Sequence, residues 1–220
     1  MKEVLLVIMF ATMPIFVFAD EATSTPVVAS STVTITIRSG STTAFTGLVD
    51  IVASTTPSVD ITPTNSSTTV AVPADSLLAT LTALDARTAD FDITDLGYFP
   101  SYNSFIINCI AVPAVHPTPD CYNWTYAVNG AFPQVGIDDT ILHDGDIVFL
   151  FFGPPRQTIV STSTVAIGES FTATAQRYDL NSGNYVPVLG VTLGVGTPNP
   201  DFSFTELATS TSDASGQAIF

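Results

Sequence analysis

The residues able to do chemistry are few, and most are grouped between positions 109 and 146. Cys109 and Cys121 are the only cysteines, His116 and His143 the only histidines, and Trp124 the only tryptophan. Tyr122, Trp124 and Tyr126 recur every second residue, and paired acids stand at Asp138-Asp139 and Asp144/Asp146. Residues two apart on a strand share a face, so the three aromatic rings could form a platform for a sugar or a flat ring. The same spacing suits a buried core face whose register the following turn fixes, and a lone tryptophan in a β-rich domain favours that reading. Trp124 is therefore expected to be mostly buried and the cluster to be scaffold more than site, with Trp124, Tyr122 and Tyr126 as the candidate ligand-binding residues.

Catalysis finds little support. His116 lies between prolines in "AVPAVHPTPD" and His143 in the turn "HDGD", neither at a spacing that offers a partner. There is no G-x-S-x-G elbow and no phosphate-cradling glycine loop. The paired aspartates sit in turn sequences, where Asp commonly bonds its own backbone. The expectation is a protein with no catalytic residues, no cofactor and no metal site. Two cysteines alone make a poor zinc site, and "DLNSGN" (179–184) lacks the ligand spacing and terminal Glu of a calcium loop, so it reads as a turn.

An even cysteine pair in an exported chain reads as a disulfide, Cys109–Cys121, and export is what the N-terminus indicates. "MKEVLLVIMFATMPIFVFADEA" has one lysine, an apolar run from Val4 to Phe18, and then small Ala19 after Val17. Residues 1–19 read as a signal peptide cut after Ala19, an uncleaved anchor being the alternative. Its removal takes away the only lysine and one glutamate and leaves the formal charge at −15. That charge disfavours nucleic acid and anionic membrane surfaces as partners. Charged residues make up 11% and hydrophobic ones 46%, a balance that forms a packed core with a Ser/Thr-rich surface.

The elements that would hold these residues follow from local pattern. Residues 20–31 form a Ser/Thr/Pro leader. "TVTITIR" (32–38) alternates strictly and predicts a half-buried strand, and "FTGLVDIV" (45–52) a second beyond a turn at 39–41. Residues 53–69 read as one long solvated loop. "PADSLLATLTALDAR" predicts the one main helix, over 76–87, with Asp75 as N-cap and Leu77, Leu81 and Leu84 on a buried face. Strands are expected at 104–112, 122–128 and 146–152, with Asn129-Gly130 as a hairpin turn and "HDGD" (143–146) as a second. "GPPRQ" (153–157) separates this part from a purely β remainder that reads as a small sandwich.

The combination Trp124-x-Tyr126-x-Val128-Asn129-Gly130, then Leu142-x-Asp144-Gly145-Asp146 before an aromatic strand, resembles the transcobalamin C-terminal-like family. The resemblance covers residues 32–153 and implies an α+β, β-rich fold related to the β-grasp, in a setting of secreted and surface proteins of prokaryotes. Asn129, Gly130, Asp144, Gly145 and Asp146 are its motif residues. Cobalamin is not carried over, because the separate helical barrel that holds it in the B12 transporters has no counterpart here. Residues 154–220 resemble bacterial immunoglobulin-like domains through Thr211–Phe220. That part is expected to be incomplete, because about 100 residues make such a sandwich and the chain stops on an alternating apolar strand. The expectation is therefore an exported, non-catalytic interaction module of a larger surface protein, meeting a protein, glycan or small molecule outside the cell. A ligand-free structural spacer is the alternative.

Overall fold

A computed structural model of the protein describes residues 31–51, 57–115, 118–166, 168–201 and 203–220. The expected signal peptide, nearly all of the expected leader, and His116 lie outside the described residues. Among the described residues no helix is long and apolar enough to cross a membrane.

The described residues are β-rich with one helix. In chain order they form β1 (Thr32–Ser39), β2 (Thr42–Asp50), β3 (Ser58–Ile61), β4 (Val70–Pro73), α1 (Leu77–Asp85), β5 (Asp92–Phe99), β6 (Ser104–Ala111), β7 (Asp120–Cys121), β8 (Trp124–Val128) and β9 (Ile147–Phe152). There follow β10 (Arg156–Val160), β11 (Thr172–Asp179), β12 (Asn184–Pro187), β13 (Thr192–Pro198), β14 (Phe204–Thr211) and β15 (Gln217–Ile219).

The first sheet has the order β2-β1-β9-β8. Its central pair, β1 and β9, is parallel, and the outer pairs are antiparallel. The alternation of "TVTITIR" places Val33, Ile35 and Ile37 on the core face, all fully buried. They meet Leu77, Leu78 and Leu81 of the helix, Phe105, Ile107 and Ile110 of β6, and Val148 and Leu150 of β9. Burying each such side chain stabilises the fold by about 1.5–3 kcal/mol, so this cluster is what holds the first module together.

Three local expectations are corrected. Residues 53–69 are not one loop: β3 pairs with β4 over Ser58–Ile61, and Ile61 is buried, so its apolar side chain draws the chain back onto the core. The helix N-cap is Ser76, not Asp75. Ser76 is fully buried and its hydroxyl accepts from Ala79 N (3.2 Å), while Asp75 stays at the surface. The expected strand over 122–128 begins only at Trp124.

Beyond Gly153, β11 is flanked by β10 on one side and by β12 and β15 on the other, while β13 and β14 form a separate two-stranded sheet. The buried apolar residues described here are Ala173, Ala175, Tyr178 and Ala218, a much smaller set than that of the first module. The terminal strand pairs with β11 along one side. Ile219 stands opposite Thr172, and Phe220 and Phe171 exchange both main-chain hydrogen bonds at 3.0 Å. The Ile219 side chain remains exposed.

The two modules are in contact. The ring of Tyr178 (β11) stacks on that of Phe151 (β9), and its hydroxyl donates to Gly40 O (3.2 Å). Tyr185 donates to Pro154 O (2.7 Å). Arg38 crosses from β1 to the 179–184 turn, where its guanidinium donates to Leu180 O (2.7 Å) and Asn181 O (3.4 Å). The turn is an Asx turn, Asp179 accepting from the main chain of Ser182 at 3.2 Å. Gly183, at φ +71°, leaves the room that the Arg38 side chain fills, because a Cβ there would meet it at 2.9 Å. The turn that resembled a cation loop thus presents its carbonyls to a cation of the chain itself.

Candidate functional site

Asn129-Gly130 makes a two-residue turn with positive φ at both positions, 52° and 77°. The turn closes a single bridge, Val128 to Ala131, and not a full hairpin. The strand that β8 pairs with is β9, reached only after residues 131–146 have made an excursion. The turn's side chain explains how the chain returns. Asn129 Oδ1 accepts from Ile147 N (2.9 Å), and its Nδ2 donates to Asp146 Oδ1 (2.7 Å). Asp146 Oδ2 accepts from His143 N (2.8 Å), closing the second turn, in which Gly145 has φ +82°. Asp144 accepts from Thr32 N (2.8 Å), tying the same turn to the start of β1. The five motif residues therefore form a clamp that locks the two turns to each other and to the central strand. His143 is exposed, with Nδ1 3.7 Å from Asp146 Oδ2.

The aromatic residues divide. Trp124 and Tyr126 lie on one face of β8, opposite Phe152 and Leu150 of β9. Tyr122 does not join them. It precedes the strand at φ +68°, is 78% exposed, and is held by a bond from its N–H to Asn108 O (2.6 Å). The disulfide explains why. Cys121 pairs with Cys109 in the short strand β7, beside β6, and the chain must turn at Tyr122-Asn123 to reach the other sheet. The bond thus joins β6 to β7, not to the strand that carries Trp124. Cys109 and Cys121 are 4.1 Å apart at Cα.

Trp124, expected to be mostly buried, is only half-buried, because the strand that carries it is the edge of its sheet; its ring lies 5.6 Å from that of Phe152 and its Nε1 donates to Asp120 O (2.8 Å). Tyr126 is also half-buried. Its hydroxyl lies 2.7 Å from Val135 O, to which it donates, and 2.9 Å from Thr140 Oγ1. Burial pushes the Tyr126 phenol above its usual range; the Thr140 bond opposes this, and the nearby charges of Asp138 and Asp139 add to it.

Beside these two rings a cleft of about 220 Å³ opens between β8 and β6, walled by Phe105, Ile106, Ile107, Val135 and Ile137. Its far wall is part of the 131–146 excursion. Leu77 N and Leu78 N, first amides of the helix, donate to Thr140 O (2.8 Å) and Ile137 O (3.1 Å), which fixes that wall. Asp138, buried, accepts from Ser104 Oγ (2.9 Å) and Phe105 N (3.1 Å). Gly136 is required at this crossing, because a Cβ there would collide with Ser104 Oγ and Asp138 Oδ1.

Sequence reasoning did not find Ile106, Val135 or the Ser104–Asp138 pair. "SFIINCIAV" is continuously apolar, so it carries no period to reveal that Ile106 faces outward, 48% exposed. Val135 is 53% exposed on a segment with no regular structure.

Residues 82–153 match the sequence profile of a family described as a domain of unknown function (DUF4430), which is related to transcobalamin-like domains. The match runs from within the helix to the end of β9 and so includes the clamp, the disulfide and the cleft. No curated protein and no solved structure matches the chain.

Proposed function

We propose that this chain is an exported, non-catalytic interaction module at the cell surface or in the extracellular space, and that it binds through the cleft beside Trp124 and Tyr126. One observation carries this reading: the two aromatic rings are only half-buried and border an open apolar cleft, where a purely structural core would be sealed. The disulfide and the acidic, lysine-poor composition suit the cell exterior. The parallel central pair with a helix on one face supports a β-grasp-related, transcobalamin-like first module. The two-sheet arrangement after Gly153 supports an immunoglobulin-like second one.

The spacer reading has one observation in its favour, the ring-on-ring docking of the two modules, which suits a stiff segment. An array of immobilised matrix proteins, peptides, glycans and aromatic small molecules separates the two. The full chain is expected to bind members that its Val135→Arg variant does not, with the melting temperature of both unchanged. Equal behaviour of the two proteins across the array would leave the spacer reading standing.

A further inference from the structure

We propose that the outer edge of β8 takes up an extended segment of a partner polypeptide, which adds to it as a new strand and lowers an apolar side chain into the cleft. This rests on the binding reading above and names its partner.

The direction of the main chain in β8 carries it. Gly153 N donates to Asn123 O (2.7 Å) and Asn129 N to Ile147 O (2.8 Å), so the odd-numbered residues bond to β9. The even-numbered ones face away from it. Val128 shows this by exchanging bonds with Ala131 at 2.9 and 3.0 Å. Trp124 and Tyr126 have the same parity, and no described residue bonds to their main-chain N–H and C=O on that side. After Ala131 the chain leaves the edge at Phe132-Pro133, and proline has no N–H to continue the ladder. What remains is a short open edge with two residues' worth of donors and acceptors, two positions apart.

The side chains point to the same class of partner. The polar atoms of both rings are already bonded, Trp124 Nε1 to Asp120 and the Tyr126 hydroxyl to Val135 and Thr140. The rings therefore offer a sugar's hydroxyls little, and the polar groups left at the rim are main-chain amides and carbonyls. Those are what an extended peptide satisfies, and alternate side chains of an added strand then drop to one face. At about 220 Å³ the cleft is smaller than the pockets that enclose drug-sized ligands, and suits one side chain. Buried Asp138 and exposed Asp139 follow the lining residue Ile137 and their charges reach Tyr126, on a chain with a formal charge of −15. The segment that fits has an apolar residue flanked by Lys or Arg.

The probe is a displayed random-peptide library selected against the full chain, the best peptide being resynthesised with single N-methyl groups along its backbone. Selected peptides are expected to share one apolar residue beside basic ones. N-methylation at alternate positions is expected to weaken binding by about tenfold, the loss of one to two hydrogen bonds, and at intervening positions to change little. The amides of Trp124 and Tyr126 should become protected from hydrogen exchange, and Val135→Arg should abolish binding. Peptides that bind without alternation in the N-methyl series, or without protecting these amides, overturn strand addition. So does a library that yields nothing while indole or a sugar perturbs Trp124 fluorescence and Val135→Arg removes the effect; that result keeps the cleft as a binding site. If peptide, indole and sugar all fail to perturb Trp124, both readings fall.

Discussion

The rings of Phe151 and Tyr178 lie parallel, 1° apart in plane with centroids separated by 4.0 Å, and they come from different modules. Both are almost completely buried, at 1% and 4% exposure, although each module alone would leave its ring uncovered on one face. The second module, whose buried apolar set is mostly alanine, thus draws part of its core from β9 of the first.

Tyr178→Ala should therefore destabilise the second module by about 3 kcal/mol, the usual loss for truncating a buried aromatic. Urea unfolding followed by hydrogen exchange should show β10–β12 opening before the first sheet, and at lower urea than in the unaltered chain. Arg38→Ala should act in the same direction with a smaller effect, about 1 kcal/mol, since it removes a partly exposed pair of hydrogen bonds.

Alkali should have a related effect. Burial raises the Tyr178 phenol above its usual range, an effect that the neighbouring Arg38 charge reduces without reversing. The unfolded chain ionises first, near pH 10, so the stabilisation is whole below about pH 10 and is lost as pH rises through the folded value. Stability measured from pH 8 to 11.5 should fall in that upper range. Tyr178→Phe, which keeps the stack and removes the ionisable group, should lessen the fall, the remainder belonging to Tyr126 and Tyr185, whose phenols burial also raises.

At Asn129, two substitutions separate conformation from bonding. Asn129→Gly keeps a residue at ease with φ +52° but loses both side-chain hydrogen bonds to the 146–147 turn. Asn129→Ala loses the bonds and strains the backbone as well. The expected losses are about 1–2 kcal/mol for glycine and more for alanine, read by thermal unfolding. Combining Asn129→Gly with Asp146→Ala should cost less than the sum, because the two share one bond.

Reducing the disulfide should destabilise the first module by about 3 kcal/mol on the chain-entropy account of a short loop. Thiol labelling of denatured, unreduced protein should find no free cysteine. The cleft should loosen on reduction too, since β7 sets where the chain turns toward Trp124, and iodide quenching of that tryptophan should rise above its intermediate starting level.

Much of this fold was legible because period and turn chemistry spoke clearly. Val33, Ile35 and Ile37 alternate without exception, and Asn129, Gly130 and Gly145 adopt the positive φ that their residue types allow. Legibility failed where a long-range partner decided the outcome. Nothing local distinguishes Asp75 from Ser76 as a cap until the buried position of Ser76 does so. Nothing near Ser58–Ile61 announces a strand until β4 lies beside it. Tyr122 follows the alternation of Trp124 and Tyr126 in sequence, yet the bond from Cys121 to Cys109 holds its backbone to a different sheet. The candidate site was half visible for the same reason: its aromatic wall is periodic, and its opposite wall is an irregular segment placed by the helix.

The two faces of the β8–β9 ribbon have different clients. Trp124, Tyr126 and Leu150 look toward the cleft, while Phe149 and Phe151 look toward Arg38 and Tyr178 of the module joint. Since side chains on a strand switch sides at every residue, adding or deleting one residue inside either strand would send each set to the wrong client at once. The proposed binding face and the module geometry are in that sense inherited together. Relatives of this chain should accordingly diverge here by exchanging one side chain for another, and keep changes of length for the excursion between the two clamped turns.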